Sequence, residues 1–274
     1  MKKFIKQIWP RSPLFDYVYH LLIFLIDFHR LPSRRAGRFC DMIFFEKIST
    51  SDLFLKAFLT DKEYFKMFVR DRFGSDLVPQ TFFSGLIDES LRDRNFPARC
   101  CIKPTHTSGQ VIFRLQDESV DFEKILGWLN DRLYDRTREP NYRYLKSKYI
   151  VEELVFDNVA PTDYKFFVFN GTPRLIQVDI DRFGDHRRDF YDVYWKKLAL
   201  SLKYENSTVL MTKPKKFAAM LDIAGVFGQL FKFVRVDFYV SQEGRFQLGE
   251  CTFFPDNGRY DFIGKDSEIL NWIK

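Results

Sequence analysis

The sequence predicts an α+β fold. Asn170-Gly171, between Tyr164–Phe169 and Thr172–Ile180, is the strongest short hairpin signal in the chain, and a second hairpin runs from Phe233 to Thr252. Helical periodicity recurs over 41–73, 121–134 and 214–231, without the regular strand–helix alternation of a doubly wound parallel sheet. Neither a Walker phosphate loop nor a Rossmann glycine fingerprint occurs.

With 274 residues, 32 of them Phe, the chain can bury a sizeable core in more than one lobe. Its net charge of +6 suits an anionic partner: nucleotide, acidic polysaccharide or lipid surface. No nucleic-acid-binding module is recognisable, so nucleic acid is not expected. Cys40, Cys100, Cys101 and Cys251 lack CxxC spacing and read as buried, reduced thiols of a cytosolic protein.

Residues 1–40 form a basic, aromatic segment. Leu14–Phe28 is apolar around most of a helix, but Asp16, His20 and Asp27 interrupt it, and it is too short to span a membrane. Lys2, Lys3, Lys6 and Arg11 precede it, and Arg30, Arg34, Arg35 and Arg38 follow. Residues 1–38 therefore suit either an anionic membrane surface or a helix packed on the main body. Residues 41–95 are mainly helical: Phe54, Ala57 and Phe58, then Tyr64, Phe65, Phe68 and Val69, recur at three- and four-residue spacing. Thr60 and Glu63 match a capping box, and Gly74 stops that helix. Val78–Leu86 is a short strand.

Residues 96–156 make the next unit. Strand Arg99–Lys103 leads into the small polar loop Pro104–Gly109, and Val111–Arg114 returns. Asp121–Tyr134 is an amphipathic helix, Asp135–Lys148 a loop, and Tyr149–Phe156 a strand carrying Glu152 and Glu153. Residues 157–274 hold the first hairpin, a charged loop Asp181–Arg188, a strand Asp189–Trp195, the helix Pro214–Phe231, the second hairpin and a terminal helix Asp266–Ile273.

The second hairpin carries the most chemistry. A two-residue turn at Glu243-Gly244 sets Asp237 across from Glu250 and Arg235 across from Thr252, with Arg235, Asp237 and Tyr239 on one face. Two facing carboxylates repel unless a cation lies between them. Mg²⁺ prefers such oxygens and shares its shell with phosphates, so the pair reads as a Mg–nucleotide site or as an exposed, solvated hairpin. Lys103, before the loop of Thr105, His106, Thr107, Ser108 and Gly109, suits phosphate binding or an ordinary surface turn. Glu152 or Glu153 could take a ribose hydroxyl or face solvent. Lys165, alternating with Asp163 and Phe167, either snorkels or aims into a cleft. Arg182, His186, Arg187 and Arg188 could clamp a carboxylate or phosphate, or form a solvated basic loop.

The order of these pieces resembles the ATP-grasp superfamily, and more closely the teichuronopeptide-biosynthesis-type (TupA-like) family of bacterial surface-polysaccharide loci. The residues that carry the resemblance are DYKFFVFNG (163–171), QVDIDRF (177–183), HRRDFYD (186–192), RVDFY (235–239) and GECTF (249–253), with TDKEYFK (60–66) and IVEEL (150–154). It implies two α+β lobes gripping ATP, the small one over 96–156 and the large one over 157–274. Lys103 and Lys165 would meet phosphates under the Thr105–Gly109 loop. Glu152, Glu153 and Leu154 would meet adenine and ribose, with Asp163 beside the nucleotide. Asp237 and Glu250 would hold Mg²⁺, and Arg235 would stabilise the transferring phosphoryl group. Thr252 stands where the superfamily usually carries a metal-binding Asn.

The resemblance implies an ATP- and Mg²⁺-dependent carboxylate–amine ligase of capsule or surface-polysaccharide biosynthesis. It would join an amino acid or other amine to the uronic-acid carboxylate of a glycan or sugar nucleotide, with Arg182, His186, Arg187 and Arg188 as acceptor residues. The expected location is the cytoplasm, at the inner membrane face if residues 1–38 bind lipid. The alternatives are a glycan kinase, a glycosyltransferase, or an ATP-binding scaffold with weakened turnover.

Overall fold

The computed structural model describes residues 10–157, 161–181 and 184–266. Helices α1 (Pro13–Phe28), α2 (Phe39–Ile48), α3 (Leu53–Thr60) and α4 (Lys62–Phe73) open the chain. Strands β1 (Thr81–Leu86), β2 (Cys100–Pro104), β3 (Ile112–Arg114) and β4 (Lys148–Glu152) form a four-stranded antiparallel sheet in the order β1-β4-β2-β3, with short helices α5 (Phe122–Gly127) and α6 (Leu133–Thr137) between β3 and β4. Strands β5 (Thr162–Phe169), β6 (Thr172–Ile180), β7 (Arg187–Tyr191), β8 (Lys197–Leu198), β10 (Phe233–Val240) and β11 (Phe246–Thr252) form a six-stranded antiparallel sheet, β11-β10-β5-β6-β7-β8. Helix α7 (Phe217–Gly228) precedes β10, and β9 (Leu200–Ser201) pairs with β12 (Ile263–Gly264).

Local chemistry explains the boundaries. Ser12 caps α1 by accepting from the Phe15 N–H, and Pro13 supplies the preset φ of a first helical residue. The cap of α4 is Asp61, which accepts from Glu63 N at 3.0 Å; Thr60 still belongs to α3 and donates its hydroxyl to Lys56 O. The expected Thr60 cap is therefore displaced by one residue. Gly74 ends α4 at φ 103°, a conformation that favours glycine. The single helix expected over 121–134 is α-helical only to Gly127, tightens into a 3-10 turn over Trp128–Asn130, and a second short helix starts at Leu133 and runs on to Thr137, into the loop expected from Asp135. Glycine's low helix propensity and the polar Asn130-Asp131 pair account for the interruption. The strand expected to reach Phe156 stops at Glu152, and Phe156 and Asp157 adopt positive φ.

The core explains the 32 Phe residues. Phe39, Phe167, Phe169, Phe233 and Phe262 meet edge-on or tilted where α2 closes one end of the large sheet. Each such ring removed from water contributes about 1.5–3 kcal/mol. The other face of the sheet carries Phe166, Val168, Ile176, Val234, Val236 and Phe238, all fully buried. Helix α7 packs on this side closely enough that a Cβ at Gly228 would lie 2.3 Å from Val168 Cγ1. A smaller cluster including Phe96, Cys100, Trp128 and Tyr149 holds the four-stranded sheet. All four cysteines are buried and free, as the sequence predicts. The terminal helix expected over 266–273 lies, apart from Asp266, outside the described residues.

Candidate active site

Strand register gathers the polar residues onto one face of the large sheet. Asp237 pairs with Lys165 on β5 and with Glu250 on β11; Arg235 pairs with Thr252. Tyr239 faces Asp163, Asp163 faces Asp179 on β6, and Asp179 faces Arg188 on β7. Because side chains alternate along a strand, these residues form one continuous patch at the end of the sheet away from the Phe cluster. The predicted Asp237–Glu250 pairing is present, but the predicted two-residue turn is not. The loop runs over 241–245, and a bulge at Gly249 restores the register.

Ion pairs hold the patch together. Arg235 donates from Nε and Nη2 to both Asp237 oxygens, at 2.7 and 2.6 Å, and from Nη2 to Thr252 Oγ1 at 3.0 Å. Lys165 Nζ meets Asp163, lies 3.4 Å from Asp237 and 3.7 Å from Asp179. Asp179 accepts from Arg188 Nε at 2.7 Å and lies 3.2 Å from His186 Nε2. Burial alone would raise the Asp179 carboxyl, but Lys165 and Arg188 hold it well below the usual carboxylate range. Burial opposes the charge of Arg235 too, yet Asp237 keeps it firmly protonated.

The small sheet presents a second charged group. Glu152, on β4, is 2% exposed and bonds both Lys103 of β2 and Lys66 of α4. Burial pushes its carboxyl up, but the two lysines bring it down to about 2. The same pairing holds Lys103 well above the usual lysine range against burial, whereas burial lowers Lys66. Burial raises the Tyr239 hydroxyl of the large sheet, and the charge of Lys103 on the small sheet opposes that rise.

The loop after Lys103 divides in two. Thr105, His106 and Thr107 are buried; Ser108 and Gly109, the latter at φ 79°, are exposed. Thr105 donates to Asp61 Oδ2 at 3.1 Å, and Lys62 Nζ donates to Thr107 O at 2.7 Å. His106 corrects the sequence reading. Its ring faces inward, with Nδ1 against Lys148 O and Nε2 against Trp128 O, so it supports the loop from beneath.

A cleft of about 690 Å³ runs between the sheets, lined by Glu153 and Leu154 on one side and Lys216, Arg245, Phe246 and Gln247 on the other. Glu152, expected there, turns instead to its two lysines. A second cleft of about 940 Å³ lies between the Gly37-Arg38 turn and the Tyr260–Gly264 segment and includes Lys203 and Tyr204. The Tyr204 ring lies 4.0 Å from His186 and 4.8 Å beneath the Arg188 guanidinium, centroid to group. Of the expected acceptor residues, Arg188 and His186 join the central patch. Arg188 sits in strand β7, not in a loop. Arg187 faces outward and pairs with Asp185 and Glu205. Arg182 lies outside the described residues.

The TupA-like ATPgrasp family model matches residues 48–270. The chain belongs to this family. Its fold is thus the α+β ATP-grasp fold, and among the solved structures similar to it, at low identity, are the following three. The ATP-grasp ligase PsnB complexed with minimal precursor is 10% identical, with a TM-score of 0.39 over 73% of this chain and 53% of that one. D-alanine–D-alanine ligase from Bacillus anthracis complexed with ATP is 13% identical, with 0.41 over 72% and 55%. L-amino acid ligase from Bacillus licheniformis is 9% identical, with 0.42 over 72% and 44%. The family member described here thus spans about half the length of each. No curated protein matches the chain.

Asp179, Gln177, Lys62 and Lys66 were not singled out from the sequence. All four lie inside motifs that carry the family resemblance, and the alternation of Gln177 and Asp179 in a strand is a readable signal of a polar face. A bulge at Arg174 decides which face that is, since Phe167 pairs with Leu175 while Val168 pairs with Pro173.

Proposed function

We propose that the chain is an ATP- and Mg²⁺-dependent carboxylate–amine ligase whose acceptor is a uronic-acid sugar of a surface glycan and whose amine is an amino acid. The observation that carries this reading is a pair of cationic sets, one on each sheet. Lys103 stands on the small sheet, paired with Glu152, and Lys165 and Arg235 stand on the large one around Asp237. Such a site neutralises a triphosphate from both sides.

The donor set suits Mg²⁺. Asp237, Glu250 and Thr252 offer hard oxygens on adjacent strands, and Mg²⁺ needs only one or two carboxylates when phosphates complete its shell. Asp237 and Thr252 are engaged by Arg235, while the Glu250 side chain is 40% exposed with Arg235 3.8 Å away. Bound Mg²⁺ would screen the phosphate charge. Leu154 and Glu153 would receive adenine and ribose in the smaller cleft.

The protein's own residues then do the following work. Lys165 and Arg235 orient the γ-phosphate toward the acceptor carboxylate and stabilise the charge as that oxygen attacks phosphorus and ADP departs. Arg188, held by Asp179, binds the acceptor carboxylate, with His186 beside it. The amine attacks the resulting acyl phosphate, phosphate leaves, the amine loses a proton and an amide remains. The larger cleft, next to Arg188 and His186, would take the body of the acceptor. It offers Tyr204 and Tyr260 as flat apolar faces and both donors and acceptors for hydroxyl groups, including Arg38 and Asp261.

The use of ATP favours the cytoplasm. Helix α1 exposes Leu14, Phe15, Tyr17 and Val18, and Leu31 follows near Arg34 and Arg35, a surface suited to an anionic inner membrane face. No helix of the described residues is long and apolar enough to cross a membrane. Liposome flotation of the intact chain and of one lacking residues 1–38 tests this contact; equal flotation would remove it.

The deciding assay for turnover is ADP release from Mg-ATP with uronic-acid sugars crossed with amino acids, with product mass recorded. ADP that needs both partners, with a product lighter than their sum by one water, establishes the ligase. A phosphorylated sugar without any amine requirement makes it a kinase.

A further inference from the structure

Lys66 is placed where the reaction scheme above has no use for it. It comes from α4, outside both sheets, and its side chain is almost wholly buried against Glu152 of β4. Its Nζ also donates to Pro79 O at 3.2 Å, so it is tied at two points. Lys103 takes the other Glu152 oxygen, but its side chain is 19% exposed and Glu152 is its one hydrogen-bond partner among the described residues. Of the two lysines, Lys103 is free to leave.

We propose that Lys66 is a positioning residue that keeps Glu152 neutralised when Lys103 swings to a nucleotide phosphate, so that α4 sets the affinity of the cleft for ATP. The inference rests on Lys103 meeting the nucleotide, as proposed above. Removing one partner of a buried ion pair leaves an uncompensated charge, which is heavily penalised. A Glu152 with a single lysine would therefore grip it. With Lys66 fixed on the second oxygen, the departure of Lys103 leaves a paired carboxylate behind. Helix α4 also contributes Lys62, one turn earlier on the same face, which holds the phosphate loop through Thr107 O. A single helix thus supports both the loop and the lysine that precedes it.

The test is calorimetric binding of Mg-ATP to the full chain and to Lys66→Met, Lys66→Arg, Glu152→Gln and the double variant Lys66→Met/Glu152→Gln. Lys66→Met should weaken binding roughly 5- to 150-fold, the ordinary span of coupling between linked groups. Lys66→Arg should recover most of the loss. In the Glu152→Gln background, where no charge needs a partner, Lys66→Met should change affinity by less than roughly twofold. Circular dichroism checks that each variant is folded. Wild-type-like ATP binding by folded Lys66→Met overturns the proposal, and so does an equal loss in both backgrounds, which is the signature of a merely structural lysine. If Lys66→Met does not fold, the comparison of Glu152→Gln with the double variant still decides. A wild type that binds no ATP would instead remove the proposed function.

Discussion

Gly249 lies against the ring of Tyr239: a Cβ at 249 would stand 2.8 Å from Tyr239 Cε2. At this point β11 carries an unpaired residue, since Asp237 faces Glu250 and Phe238 faces Leu248. The bulge therefore phases the candidate metal ligands, and the absence of a side chain lets Tyr239 lie flat beside it. Gly249→Ala should destabilise the fold by about 1–3 kcal/mol through overpacking and push the Tyr239 ring out of its place. Thermal unfolding together with Mg-ATP affinity checks this. A stable variant with unchanged affinity would detach the ring from the nucleotide site.

Asp237→Asn should abolish ADP release and also lower stability. Arg235 is buried and spends two donors on that carboxylate, and stripping a buried charge of its partner costs about 3–5 kcal/mol. The companion Arg235→Met/Asp237→Asn removes both charges and should regain part of the stability while staying inactive. Urea unfolding and ADP release, measured on both variants, separate the two effects.

Acid stability should depend on Glu152. Its carboxyl falls from an ordinary 4.5 to about 2 in the folded chain. A depressed carboxyl contributes stability that is fully present above its unfolded value and is lost as pH falls through the folded one. The window is therefore roughly pH 4.5 down to 2, and Asp179, depressed in the same direction, adds to the loss at its acid end. Urea midpoints taken between pH 3 and 6 should decline less steeply for Glu152→Gln than for the wild type. Parallel declines would contradict the assignment.

His106→Ala should cost about 1–3 kcal/mol, because it empties the space of a buried ring and removes the hydrogen bond that ring donates to the Trp128 or the Lys148 carbonyl. ATP affinity measured well below the unfolding temperature should stay within a few-fold of wild type, since the ring points away from the exposed Ser108-Gly109 tip. A large, selective loss of affinity would return His106 to the phosphate side.

Much of the site was legible because it is built from local pattern. Asn170-Gly171 fixes the first hairpin, the Arg235–Asp237–Tyr239 alternation fixes a face, and Lys103 precedes a loop of small polar residues. What the pattern could not supply was phase. A two-residue turn at Glu243-Gly244 is not what forms, yet the Asp237–Glu250 pair was placed correctly, because the bulge at Gly249 compensates for the longer loop. In the first hairpin a bulge acts the other way. Counting from Asn170-Gly171 sets Asp163 against Val178, whereas Arg174 bulges and brings Asp179 opposite it. The strongest carboxylate partner of Arg188 was hidden by one unpaired residue.

The α+β class, the unbridged cysteines, the two hairpins and the acid pair across the second one can be read from residue order alone, since they follow from propensity, turn chemistry and side-chain alternation. Which charges are paired depends on packing between distant segments. Lys66 and Glu152 are 86 residues apart, and their contact exists because α4 packs beside β4. His106 is likewise placed by packing: its buried ring lies between the Lys148 and Trp128 carbonyls, which come from distant parts of the chain. Local pattern assigns a residue to a face; the desolvation of buried charge and backbone, which depends on what packs there, assigns its role.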